Sequence, residues 1–505
     1  MKTLITCGIG VLAASTLNAQ QSRKPNIIYI LADDLGYGEL GCYGQTKIET
    51  PNIDRLADSG IRFTQNYTGS PVSAPSRCVT LTGLHTGHSI IRGNDEAPER
   101  GDVWNHAAML ADSTLEGQRP MPAGTVTIAS LLHDAGYHTA CVGKWGLGYP
   151  GSESTPLKVG YDFFYGYNCQ RQAHTYFPPF LYRNEQREYL TNKLLPPGTK
   201  LDDGADIYDL KSYAKFTQNE YSPELMYNEI LKFIADNKSQ PFFLAWTTTI
   251  PHVALQAPER WARYYVDKFG DEEPYTGAEG YFPCRYPHAT YAAMVSYLDE
   301  QIGGLIAHLK ELGVYDNTII IFTSDNGPAY NSGTDSPWFD SARPFRSESG
   351  WGKGHLHEGG IRAPLIVAWE GHIRPGRTSE HICASWDIPA TLCDFAGIKP
   401  PKTDGISFRP ELLGKKQPAH KYLYWEFEAS GGQQAVRYGK WKGLRLNINK
   451  ERNLKIQLYD LETDPRETTD LAAAHPDIVE KITRFMATAH TKSPNERFHL
   501  KALDE

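Results

Sequence analysis

The stretch Asn26–Ala32 constrains the fold most: an apolar, largely β-branched and aromatic run that stops abruptly at Asp33 and Asp34, with Gly36 and Gly38 close behind. A strand without polar alternation is buried on both faces, the state of a strand inside a parallel sheet covered by helices. The same grammar recurs. Asn52–Ser59 has helical spacing after Pro51, and Thr127–Ala135 reads as a helix leading through Gly136 into a strand at His138–Val142. Ser222 and Pro223 suit the start of a helix running to about Asn237, followed by the strand Phe242–Thr249. Tyr291–Leu312 is amphipathic and ends at Gly313; Thr318–Thr323 is a strand that gives way to Ser324, Asp325 and Asn326. Helix and strand alternating over hundreds of residues predict an α/β domain, with a large, mostly parallel or mixed sheet sandwiched by helices. In such folds ligands collect at the carboxyl ends of the strands, where Asp33, Asp34, Asp325 and Asn326 all fall.

From about Pro418 the texture changes. Tyr422–Phe427, Gln434–Tyr438, Lys440–Leu446 and Lys455–Tyr459 are short strands separated by turn residues, with a helix from about Pro476. The expected division is an α/β domain over residues 22–417 and an α+β subdomain over 418–505, built on a small antiparallel sheet. Phe163–Ala214 has little periodicity and reads as a loop-rich insertion. Met1 and Lys2 lead into an apolar run from Leu4 to Leu17, which reads as a signal peptide over residues 1–19. No later segment is long and apolar enough to cross a membrane, so an exported protein is expected, most simply in a bacterial periplasm. Cys42, Cys78, Cys141, Cys169, Cys284, Cys383 and Cys393 include no Cys-x-x-Cys pair, which argues against a zinc ribbon or a disulfide framework. The net charge of −8 argues against broad nucleic-acid binding. An anionic ligand must then be held by a few placed cations.

Ser73-Ala74-Pro75-Ser76-Arg77, closed by Leu81, Thr82 and Gly83, sets Ser73 near a helix N-terminus, where free N–H groups and partial positive charge favour an anion. The pentapeptide alone could simply cap a surface helix. Asp33, Asp34, Asp325 and Asn326 offer only oxygen ligands, which suits calcium or magnesium and disfavours zinc. Asp-Asp and Asp-Asn-Gly also occur in ordinary turns, but both pairs here follow strands.

With these segments the chain resembles the type I sulfatases of the alkaline phosphatase superfamily. The resemblance also takes in Thr50 to Leu56, Gly143-Lys144-Trp145, Pro251-His252, Asp325-Asn326-Gly327, and Lys353, Gly354, Glu358, Gly359, Gly360 and Arg362. It implies that Ser73 is oxidised to formylglycine, by a serine-type maturase of anaerobic bacteria unless the serine replaces a cysteine. It further implies a calcium ion held by Asp33, Asp34, Ser73, Asp325 and Asn326. Arg77, Lys144 and Lys353 would hold the sulfate charge, and His252 would protonate the leaving oxygen. One position departs from the pattern: relatives commonly carry a histidine two residues after the motif lysine, where this chain has Gly146. His174, His355 and His357 are candidates to replace it.

The polar run Asn168, Gln170, Arg171, Gln172, His174 and Tyr176, with Arg92, Asn94 and Asp95, points to hydrogen-bonding recognition of a sugar; Asn94, Asp95, Gln172 and His174 are the candidate substrate-binding residues. By analogy, the expected substrate is a sulfated carbohydrate attacked from its end, galactose or N-acetylgalactosamine, with 4-O favoured and 6-O next. The alternatives are a phosphomonoesterase or phosphonate hydrolase of the same superfamily and a non-catalytic sulfoglycan-binding protein.

Overall fold

A computed structural model describes residues 24–505; the expected signal segment at 1–19 lies outside the described residues. A ten-stranded sheet forms the centre. From edge to edge it runs Arg377–Ser379, Ile61–Phe63, Leu365–Ala368, Thr318–Ser324, Asn26–Ala32, Phe242–Thr247, His138–Lys144, Phe163–Tyr167, Phe180–Arg183 and Gln186–Tyr189. The block from Thr318–Ser324 to Phe163–Tyr167 is parallel throughout, with antiparallel pairings toward both edges. Alternate residues of Asn26–Ala32 enter opposite cores, as a pleated strand requires. Ile28 and Ile30 pack beneath the helices Pro51–Asp58, Ser222–Asn237 and Pro287–Glu311. Ile27, Tyr29 and Leu31 pack beneath Ser73–Thr82, Ile128–Asp134 and Asp387–Ala396. The sheet is therefore sandwiched, as its uniformly apolar strands demand.

The long helix begins at Pro287, four residues before its apolar periodicity becomes clear, because a proline is well placed in a first turn where no helical N–H bond is lost. Where Phe163–Ala214 reads as loop, the structure opens with a core strand, Phe163–Tyr167, and adds the hairpin of the two edge strands. Gly166, at φ 149°, lies so close to the neighbouring strand that a Cβ there would meet the Gly143 carbonyl oxygen at 1.9 Å. The glycine that makes this pairing possible is also what blurs the strand in the sequence.

The C-terminal strands Leu423–Phe427, Gln433–Tyr438, Trp441–Arg445 and Gln457–Asp460 form an antiparallel sheet, one face of which is covered by the helix Pro476–Ala489. Its other face packs Trp425, Phe427, Ala435 and Leu444 against Tyr67, Val72, Val79, Leu356 and Trp386. The small sheet thus rests on the segments around Ser73 and Lys353. The seven cysteines of the described residues are unpaired, and no helix among those residues is long and apolar enough to cross a membrane.

Candidate active site

Strand register brings the acidic residues together. Ala32 lies opposite Ser324, so the two strands end level, and the Asp325 amide donates to the Ala32 carbonyl at 3.0 Å. In an extended strand Asp33 and Asp34 would point to opposite faces. Asp34 instead adopts φ 68°, a left-handed conformation that aspartate tolerates better than most residues, and both carboxylates serve one site. The Asp34 amide donates to Asp325 Oδ1 at 3.2 Å. Asn326 Nδ2 donates to Asp34 Oδ1 at 2.8 Å.

Ser73 opens the helix Ser73–Thr82, and its hydroxyl donates to Asp33 Oδ1 at 3.0 Å and lies 3.4 Å from Asn326 Oδ1. Arg77, one turn further on, shares that helix face. Its Nη2 lies 3.3 Å from Asp325 Oδ2 and 3.4 Å from Asp33 Oδ2, while Nη1 donates to the carbonyls of Lys144 and Trp145. Lys144 ends its strand with Nζ 2.6 Å from Asp33 Oδ2; Lys353 arrives on a separate loop with Nζ 2.7 Å from Asp34 Oδ2. His252 Nδ1 donates to the Val253 carbonyl, which leaves Nε2 3.7 Å from Asp34 Oδ2. The His174 ring stacks on that of His252 at 5.4 Å and 12°, with Tyr281 5.0 Å from His174.

The electrostatics follow from burial and crowding. Burial alone would raise the Asp33 carboxyl, but Lys144, His252, Arg77 and Lys353 hold it far below the usual carboxylate range. Asp325 is pushed up to about 7, by burial first and the Asp33 charge second. Burial draws Lys144 down, whereas for Lys353 the carboxylates of Asp34 and Asp33 outweigh burial and push it up. His252 and His174 are both lowered well below the ordinary imidazole value, chiefly by burial. Asp33, Asp34 and His252 bring ligand atoms within 4.8 Å of one another, a grouping able to hold a metal ion. With Asp325 and Asn326 alongside, the donor set is rich in hard oxygens and fits a divalent cation of that class.

All nine residues expected in the catalytic and ion-binding set, Asp33, Asp34, Ser73, Arg77, Lys144, His252, Asp325, Asn326 and Lys353, meet at this point. The expected substrate-binding residues divide. Asn94 is exposed and accepts from the Ala74 amide at 3.0 Å, beside Ser73, and His174 stacks on His252. Asp95 differs from Asn94: its carboxylate is buried and engaged by Arg119, Arg497 and the Ala97 amide rather than presented beside Ser73. Arg92 is likewise closed off against Glu426. Gln172 lines a different cavity, with His106, Leu110 and Leu195. Gly146 sits at φ 75°, and a Cβ there would lie 2.4 Å from Gln170 Cγ, so a histidine at this position would strain the backbone and displace the Gln170 side chain. Of the three replacements considered, His174 is the one stacked on His252, while His357 packs against Trp351. Gln433, on the C-terminal sheet, was not singled out in the sequence although it bonds the backbone beside Lys353.

A family model described as Sulfatase matches residues 25–398. The chain belongs to the sulfatase family. A second model, N-sulphoglucosamine sulphohydrolase, C-terminal, matches residues 347–492 of this sulfatase. An N-acetylgalactosamine-6-O-sulfatase of Bacteroides thetaiotaomicron is 29% identical, covering 94% of this chain and 95% of that protein. Human arylsulfatase A is also 29% identical, over 94% of this chain and 89% of its own. The crystal structure of Ps i-CgsB in complex with k-i-k-neocarrahexaose superposes with a TM-score of 0.71 at 26% identity, covering 92% of each chain. The sulfatase is accordingly a sulfuric ester hydrolase with the fold of its superfamily.

Proposed function

We propose that this sulfatase removes a single sulfate from the terminal galactose or N-acetylgalactosamine of a sulfated glycan, with 6-O sulfate favoured and 4-O the alternative. The observation that supports end-on attack is burial: Ser73, Arg77 and Lys144 are 1, 3 and 2% exposed, so the sulfate has to enter a recessed site, which favours a chain end. The sequence reading leans to 4-O; the name of the Bacteroides thetaiotaomicron relative moves the preference to 6-O.

Asp33, Asp34, Ser73, Asp325 and Asn326 would hold a calcium ion, which when bound would polarise a sulfate oxygen and acidify the nucleophile. Oxidation of Ser73 to the formylglycine aldehyde by a serine-type maturase, followed by addition of water, would supply a geminal diol, with one hydroxyl to attack sulfur and a second whose deprotonation would expel sulfate and re-form the aldehyde. The chain's own residues do the rest. Arg77 and Lys144, held against Asp33, and Lys353, held against Asp34, present fixed cations to the site, so charge developing on the sulfuryl oxygens would be met without reorganisation. His252, anchored through Nδ1, turns Nε2 toward the leaving sugar oxygen; burial and the nearby lysines keep the ring neutral at rest, so it would serve as the general acid once a bound sulfate offsets those cations and favours the protonated ring. The apolar leader at residues 1–19 supports export, most simply to a bacterial periplasm, where glycan fragments would be met.

The test is the peptide mass at Ser73 in protein produced with a serine-type maturase, paired with sulfate release from 6-O- and 4-O-sulfated galactose and N-acetylgalactosamine. Loss of two hydrogens together with release from the 6-O sugars is the expected result. Release from the 4-O sugars alone reverses the regiochemistry. Modified protein that binds these sugars without releasing sulfate overturns the catalytic reading in favour of a binding protein.

A further inference from the structure

We infer that Gln433, on the C-terminal sheet, is the positioning residue for the Lys353 ammonium; this rests on the reading of Lys353 as a group that holds sulfate. Residues 351–357 contain neither helix nor strand, so no regular ladder fixes the segment that carries Lys353. Its backbone is tied elsewhere. The Lys353 amide donates to the Pro328 carbonyl at 3.1 Å and the Gly354 amide to the Pro71 carbonyl at 2.9 Å. Gln433 then grips the next turn with both ends of its amide: Nε2 donates to the Gly354 carbonyl at 3.0 Å, and Oε1 accepts from the Leu356 amide at 2.9 Å. A planar amide engaged at both ends fixes a segment in rotation as well as in position. Gln433 is fully buried at the start of Gln433–Tyr438, paired opposite Phe427, so the grip is as rigid as the sheet behind it. The Leu356 side chain enters the same core as Phe427 and Ala435, which presses the segment onto the sheet.

The consequence runs through Lys353 Nζ, 2.7 Å from Asp34 Oδ2. A cation that must meet charge in a transition state loses effect steeply with misplacement, and roughly 1 Å can cost about 100-fold. The small sheet therefore places one arm of the sulfate clamp through the Gln433 amide, while the side-chain hydrogen bonds of Arg77 and Lys144 run to Lys144, Trp145, Asp325 and Asp33, none of them on that sheet.

Gln434 supplies the control. It is equally buried, but its amide bonds the Tyr424 hydroxyl and Arg445, both within the C-terminal sheet. Gln433→Met and Gln434→Met each remove two side-chain hydrogen bonds at similar side-chain length, the first pair leading out of the sheet and the second lying within it. The experiment measures kcat and KM for sulfate release by the matured variants, repeats Gln433→Met in a Lys353→Ala background, and follows amide hydrogen exchange over residues 351–358. The expected result is a fall in kcat of about 10- to 100-fold for Gln433→Met alone, with faster exchange in that segment. In the Lys353→Ala background the further loss should shrink to under about 2-fold, because a residue that acts through Lys353 has nothing left to position. An equal fall for both glutamine variants, or the same loss in the Lys353→Ala background, overturns the inference. If wild-type protein releases no sulfate, the reading of the site fails separately; exchange then decides, with unchanged rates in Gln433→Met overturning the grip.

Discussion

Two buried clusters of carboxylates and cations lie close together in this sulfatase, and they are built to opposite ends. At the site, Asp33, Asp34 and His252 draw their ligand atoms within 4.8 Å of one another, and one flanking cation, Lys353, keeps 23% of its side chain exposed. At the junction with the C-terminal sheet, Lys442 Nζ stands between two carboxylates, 2.8 Å from Glu358 and 3.4 Å from Glu467, with Lys442 and Glu358 wholly buried. Arg362, the Tyr67 hydroxyl and the Glu467 carboxylate complete the contacts of Glu358. The junction interposes a cation and is finished by its own residues. The site converges three ligand-bearing side chains on one point, a grouping able to hold a metal ion. Burial and charge count alone would not separate the two, since each has one carboxyl pushed up to about 7, Asp325 in one and Glu467 in the other.

If the site is the half that needs a ligand, removing divalent ions should abolish sulfate release and calcium should restore it, with a matching rise in melting temperature. Recovery with zinc but not calcium would instead favour the phosphatase reading. Arg77→Ala and Lys353→Ala should each lower kcat by about 1,000-fold or more, because each removes a preorganised charge aimed at the sulfuryl oxygens. Near wild-type turnover in either variant removes that residue from the clamp. His252→Ala should cost about 100- to 10,000-fold on sugar sulfates. The loss should be much smaller on nitrophenyl sulfate, whose leaving group needs no proton; equal losses on both would show that His252 is not the acid.

The site was the more legible of the two clusters. Runs such as Asn26–Ala32 and Thr318–Ser324 carry their own period and stop signals, so strand ends, and the acids on them, could be placed from sequence. Convergence followed from topology, because strands of one parallel sheet end at one edge. What stayed hidden depends on contacts distant in sequence. Asn94 and Asp95 are adjacent polar loop residues, yet Asn94 meets the nucleophile helix while Asp95 is spent on Arg119 and Arg497. Lys442 and Gln433 read as unremarkable positions on short strands, since nothing local says that Glu358 and Gly354 lie against them. The core strand Phe163–Tyr167 was masked by its own glycine.

The junction makes its own predictions, in stability rather than turnover. Lys442→Met leaves Glu467 without its cation, and Glu358 with Arg362 alone, and should cost about 3–5 kcal/mol. A loss under about 1 kcal/mol would mean that the cluster is no more than a surface pair in energetic terms, and the contrast with the site would collapse. The pH dependence sharpens it further. Burial would raise Glu358, but Lys442, Arg362 and Arg437 hold it at about 2, below the ordinary 4.5. A carboxyl lowered on folding adds stability that is fully present above pH 4.5 and drains away as pH falls toward 2. The shift corresponds to on the order of 3 kcal/mol. Glu467, raised by burial to about 7, works in the opposite sense and withdraws stability between pH 4.5 and 7. Glu358→Gln removes the first effect and weakens the second, because the Glu358 charge is one of the causes that raise Glu467. The melting-temperature gap between wild type and this variant should be widest near pH 5 and close as pH approaches 2; a gap that stays constant across that range would show that Glu358 carries no ionised role in the fold.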